Sequence, residues 1–278
     1  MRGDAIGPAV IRWAESDAAV HALVLIGSRA QAGEQGIGAA DEFSDWDFQV
    51  VTDRPEQFAS PAWLAATGLG VPLAYVARLG RLGMATKISI VVPGGELDLV
   101  LIPVRQLRRA KVVLRLGLAS RIAAARQGLS GLALVLRGGH RVVKGEREWG
   151  TFFQRVIDEF PAPRLDDQAV RALAEGFVCD YVSTKHKVER GEFLAAQRWL
   201  HHQLAEVNFQ LLHELRQRRG ETSFPDARRI EFLTGDAGRC AVNAAPTAAS
   251  LGAAVEKSAA TLRELMAVLV PAWRWPNV

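Results

Sequence analysis

Strand-sized apolar runs occur only ahead of Pro161-Ala162-Pro163, and this asymmetry is the strongest limit on what the chain can fold into. Ala22 to Ile26, Ser44 to Thr52, Leu73 to Leu79, Thr86 to Val92, Glu96 to Ile102 and Leu132 to Leu136 all read as strands. Beyond Asp166 such runs vanish. Leu200, Leu204, Val207, Leu211 and Leu215 follow at intervals of four, three, four and four, which is one apolar helix face. Two domains are therefore expected: an α/β domain over residues 1–160 and an α-helical domain over 161–278.

Local signals refine the first domain. Residues 8 to 19 read as a helix feeding the buried strand that ends at Gly27. A glycine-rich stretch follows from Ala32 to Ala40, and Pro55 and Pro61 introduce a short helix around Trp63. Pro93-Gly94-Gly95 separates two strand-like runs so tightly that they must pair antiparallel. After Pro103 the pattern turns helical to about Arg126, and Gly138-Gly139 marks a turn.

Composition excludes several classes. With 278 residues, 49% hydrophobic and 23% charged, the chain can bury a core and is not wholly disordered. Its longest apolar stretches fall well short of the roughly 18–20 residues a membrane helix needs. Asp4 and Arg12 break up any apolar leader. Cys179 and Cys240 are too few for a disulfide framework or a cysteine-built zinc site. A soluble, cytoplasmic protein without a membrane partner is expected. The basic side is 28 Arg and 6 Lys, with a net charge of +4. Arginine favours phosphate and carboxylate, but these charges are scattered and build no continuous basic stripe for nucleic acid.

Chemistry concentrates in three places: Gly27-Ser28-Arg29, Asp45-Trp46-Asp47, and Asp98. Asp45 and Asp47 are two residues apart on an expected strand, so both project from one face while Trp46 and Phe48 take the other. Paired carboxylates repel each other unless a divalent cation compensates them. Asp98, arriving on a neighbouring strand, supplies a third oxygen ligand. Mg²⁺ takes few carboxylates and leaves other positions to water and phosphates, so the pattern anticipates a nucleotide. Gly27 and Ser28 close a buried strand ahead of a short helix, Arg29 to Gln31, where turn amides and a hydroxyl can hold phosphate oxygens.

Together these residues resemble the nucleotidyltransferase superfamily typified by DNA polymerase β. The segments "IGSRA", "EFSDWDF" and "ELDLVLIP", in that order between Ile26 and Pro103, most resemble the aminoglycoside 6-adenylyltransferases that modify streptomycin. The resemblance implies an N-terminal nucleotidyltransferase domain with a mixed sheet of about five strands and a C-terminal helical bundle that binds substrate and nucleotide. It implies two Mg²⁺ ions held by Asp45, Asp47 and Asp98, with Asp98 taking the acceptor's hydroxyl proton. Gly27, Ser28 and Arg29 would bind the nucleotide, with Ser28 on the leaving pyrophosphate. In the helical half, "YVSTKHKVERGEFLAAQRWLHHQL" resembles a segment whose lysine contacts the triphosphate. Here His186 stands where that lysine is expected, flanked by Lys185 and Lys187.

The implied reaction is transfer of AMP from ATP to a hydroxyl of a small, streptomycin-like acceptor, with pyrophosphate leaving. Two other readings stay open: a nucleotidyltransferase acting on RNA or protein, and a non-catalytic, antitoxin-like module of the same fold. Other residues have plainer roles. His201, His202 and His213 lack zinc-site spacing. Trp149 and Trp199 are expected to pack rather than stack a ligand. Glu175, Asp180 and Glu192 read as surface charge. The Arg216-Gln217-Arg218-Arg219 cluster suits the C-terminus of a helix.

Overall fold

The computed structural model describes residues 5–31, 39–79, 85–119, 121–233, 240 and 242–277. Of the glycine-rich stretch, residues 32–38 lie outside the described residues. The chain divides into two compact units, Met1–Pro163 and Arg164–Val278.

The first unit is a six-stranded mixed sheet with helices on both faces. Its strands are β1 (Val20–Ile26), β2 (Trp46–Thr52), β3 (Ala74–Leu79), β4 (Thr86–Val92), β5 (Gly95–Pro103) and β6 (His140–Lys144), in the order β3-β4-β5-β2-β1-β6. Only β2 and β5 run parallel; the other neighbours are antiparallel. The β4–β5 hairpin turns at Pro93-Gly94, as the punctuation there requires.

Helix α1 (Ile6–Ser16) packs Ile6, Val10 and Trp13 on one sheet face, against Leu23, Leu25, Phe48, Val50, Leu97 and Leu99. The 3₁₀ turns Pro55–Ala59 and Pro61–Thr67 add Phe58 and Trp63 to that layer. The opposite face, carrying Val24, Ile26 and Val51, is covered by α2 (Val104–Arg115), α3 (Ala123–Arg137) and α4 (Glu146–Glu159) through Leu107, Leu129, Leu136, Trp149 and Phe153.

Several expectations need correction. Leu132 to Leu136 is not a strand; it belongs to α3. Leu129, Ala133 and Leu136 are buried while Leu134 and Val135 are exposed, so this apolar run has a helical face that its continuity hides. The sixth strand is instead β6, whose His-Arg-Val-Val-Lys sequence lacks an apolar run. The helix after Pro103 breaks between Leu116 and Ile122, where Gly117 has φ +67°. α1 stops at Ser16, because Asp17 turns the chain by accepting the Ala19 amide at 2.9 Å. Arg29 to Gln31 is not a separate helix; a single 3₁₀ turn covers Ser28–Ala30.

The second unit is helical: α5 (Asp167–Glu189), α6 (Phe193–Trp199), α7 (Glu206–Arg218), α8 (Ile230–Leu233) and α9 (Ala248–Leu269). Asp166 caps α5 by accepting the Ala169 amide, and Thr247 caps α9 by accepting the Ser250 amide. Leu200, Leu204, Leu211 and Leu215 are buried together with Phe177, Leu251, Val255 and Leu262. Between α6 and α7 the chain widens into a π-helix, Leu200–Ala205, which keeps the leucine face turned to the core. Among the described residues no helix is long and apolar enough to cross a membrane.

Candidate active site

The three aspartates converge because of strand register. β2 and β5 are parallel neighbours with Asp47 directly paired to Asp98, and Ile26 at the end of β1 is paired to Asp47 from the other side. Asp45 immediately precedes β2. One carboxylate oxygen from each of Asp45, Asp47 and Asp98 lies within 4.8 Å of the other two. Trp46 stacks parallel to Phe48 on the opposite face, with ring centroids 6.1 Å apart, so the alternation expected around Trp46 holds.

The site is charged and partly buried, and its groups respond accordingly. The Asp47 carboxyl is pushed up from 3.8 to about 7, first by burial and then by the charges of Asp45 and Asp98, with Lys87 pulling the other way. Lys87, on β4, places Nζ 2.5 Å from Asp98 Oδ2. Burial opposes its charge, but the hydrogen bond to Asp98 and the three carboxylates outweigh that and raise its pKa.

The turn after β1 is built against this cluster. Gly27 has φ +76°, and a Cβ there would meet Asp47 Oδ2 at 3.1 Å. Its amide donates to the Gly139 carbonyl at 3.0 Å, which ties the turn to the start of β6. Ser28 opens the 3₁₀ turn immediately behind it.

Arg29 reaches back to the segment ahead of β2. Its Nε donates to the Ser44 and Asp45 carbonyls at 3.0 and 3.1 Å, and one terminal nitrogen donates to Ser44 at 2.7 Å. Its guanidinium also lies 4.5 Å from the Trp46 ring centroid. Arg29 thus fixes the backbone that carries Asp45. The turn it grips is closed by Asp41, whose carboxylate accepts the Phe43 amide and the Ser44 hydroxyl.

Sequence reasoning missed Lys87, since one lysine on a strand carries no local signal. The hairpin register held the clue. Ser89 pairs with Asp98 and Lys87 with Val100, so Lys87 stands one step along the same face.

Lys185 and Lys187 belong to the second unit, on α5. Lys185 Nζ lies 3.4 Å from the Tyr181 hydroxyl and 3.7 Å from Glu256, and Lys187 lies 4.5 Å from the Trp199 ring centroid. Trp149 is fully buried, and His201 and His202 are exposed. His213 bonds to Ser223 at 2.7 Å and to Gln217 at 2.8 Å.

The donor set suits a hard divalent ion. Three carboxylate oxygens close together match the ligand chemistry of Mg²⁺ or Mn²⁺.

No protein-family model matches the chain, and no curated protein matches it in sequence. Among solved structures it is similar to an aminoglycoside 6-adenyltransferase from Bacillus subtilis, at 12% identity over 99% of this chain and 94% of that one, with a TM-score of 0.40. It is also similar to a nucleotidyltransferase-like protein from Exiguobacterium sibiricum, at 10% identity over 96% of this chain and 76% of that one, with a TM-score of 0.34.

Proposed function

We propose that this chain is a Mg²⁺-dependent nucleotidyltransferase that moves AMP from ATP to a hydroxyl of a small molecule, an aminoglycoside of the streptomycin type. One observation carries the reading: Asp45, Asp47 and Asp98 converge within 4.8 Å beside a glycine turn that closes on Asp47. When bound, two divalent ions supply charge neutralisation of the triphosphate and acidification of the attacking hydroxyl.

The chain's own residues do the rest. Asp45, Asp47 and Asp98 would hold the ions, and Asp98 accepts the proton that leaves the acceptor hydroxyl. The acceptor oxygen bonds to the α-phosphorus as the bond to pyrophosphate breaks. Ser28 and the Gly27 turn orient the departing pyrophosphate, and Lys185 or Lys187 binds the triphosphate. Arg29 serves the nucleotide through the segment that carries Asp45. The helical domain presents the acceptor, and the reaction belongs to the cytoplasm, where ATP is available.

The test incubates labelled ATP, GTP, CTP and UTP with an aminoglycoside panel and with bulk RNA. Label from ATP on an aminoglycoside, lost in Asp47→Asn, is the expected result. Label on RNA would overturn the acceptor, and label nowhere would overturn the reaction.

A further inference from the structure

Three carboxylates converge on one sheet face, and the Lys87 ammonium faces them. Lys87 Nζ is 2.5 Å from Asp98 Oδ2, and the register of β4 on β5 puts it on the same face as Asp98 and Ser89. The Asp98 side chain is 17% exposed, while Lys87 is 49% exposed along a flexible stem. An ammonium at that distance occupies one acceptor position of Asp98 and adds positive charge where a divalent ion would bind. Unlike a guanidinium fork, a lysine on four methylenes can swing out to solvent when a stronger cation arrives.

We infer that Lys87 is a resident counter-cation that holds the aspartate cluster together without metal and competes with the metal for Asp98. The inference rests on the metal-centre reading above and adds to it a built-in restraint on metal loading. The bare cluster binds a divalent ion weakly, and displacement of Lys87 accompanies filling of the site. Triphosphate oxygens bring compensating negative charge, so the ion enters most readily together with the nucleotide. Lys87 is in this sense a positioning residue, acting on the site through Asp98.

The experiment titrates Mn²⁺ alone into the full chain and follows free Mn²⁺ by electron paramagnetic resonance. Wild type, Lys87→Met, Lys87→Gln and Asp47→Asn are compared, with circular dichroism confirming the fold of each. Both Lys87 variants are expected to bind Mn²⁺ about tenfold more tightly than wild type, the scale on which groups surrounding a metal site tune affinity. Asp47→Asn is expected to lose binding. In EDTA, Lys87→Met should melt below wild type and recover on addition of Mn²⁺. The glutamine variant keeps a hydrogen-bond donor without the charge, so it separates competition from simple orientation of Asp98. Equal or weaker Mn²⁺ affinity in both Lys87 variants, with binding still lost in Asp47→Asn, would overturn the inference and leave the metal centre standing. No saturable binding in any of the proteins would overturn the metal centre, and this inference with it.

Discussion

Asp47 and Asp98 face each other as a register pair of the parallel β2–β5 ladder, so two like charges are placed side by side by the backbone itself. With Lys87 as the counter-charge and no divalent ion, the arrangement still costs stability. Because the Asp47 pKa is raised from 3.8 to about 7, the cost is fully felt above that value and fades as pH falls toward 4 and the carboxyl takes up its proton. Asp47→Asn is therefore expected to abolish nucleotide transfer and yet raise the melting temperature at pH above about 7 in EDTA by roughly 2–4 °C. Thermal melts beside an activity assay check both halves, and a variant that melts lower would contradict the argument.

The glycine turn allows a second check. Gly27→Ala introduces a Cβ at φ +76° and 3.1 Å from Asp47 Oδ2. With ψ at −156° this backbone lies in a region essentially reserved for glycine and costs alanine about 1–3 kcal/mol, and the methyl crowds the Asp47 carboxylate. Lower stability in urea together with transfer reduced at least roughly tenfold is expected, since small misplacements of reacting groups are costly. Full activity would show that the turn tolerates the shift.

Arg29 gives a test of positioning. Its guanidinium donates to the Ser44 and Asp45 carbonyls together, which a lysine's point charge does not reproduce. Arg29→Lys should keep the circular dichroism of the wild type and lower kcat about tenfold or more. An increase in KM for ATP with kcat unchanged would place Arg29 on the nucleotide instead.

Behind the site, Trp46 is wedged between layers. A Cβ on Gly7 of α1 would come within 2.1 Å of the Trp46 ring, which already stacks on Phe48 and carries Arg29 over it. Gly7→Ala is expected to cost about 1–3 kcal/mol by overpacking and to disturb the flanking Asp45 and Asp47. Chemical denaturation and the Mn²⁺ titration would report the two effects separately.

The helical unit has its own pH signature. Burial pushes the Glu214 carboxyl up, but Arg164, the Leu165 amide and Arg218 outweigh it and hold the pKa below its ordinary 4.5. Its contribution is therefore present above the unfolded value and lost as pH falls through the depressed folded one. Glu214→Gln should lower stability at neutral pH and flatten the loss on acidification between about pH 5 and 3. An unchanged acid limb in urea titrations would show that Glu214 does not drive it.

How much of this was legible in the sequence differs residue by residue. Asp45, Asp47 and the turn at Pro93-Gly94-Gly95 could be read because strand alternation and hairpin closure are local rules. The misplaced strand at Leu132 to Leu136 shows where those rules fail. A short apolar run suits a buried strand and one side of a helix equally, and only the layer packed against it decides. β6 carries no strand signal for the opposite reason: at the sheet edge, its His140 and Arg141 need no apolar partner on each side. Lys87 was readable only at second order, once the hairpin register was known.

The parallel β2–β5 pair has an evolutionary consequence. Surface loops and helices can change without changing the spacing of Asp47 and Asp98, because that spacing is set by the main-chain hydrogen bonds of the ladder. On the proposed function, a lineage of such chains could trade one acceptor for another while the geometry of the aspartates stays under a separate, stricter constraint.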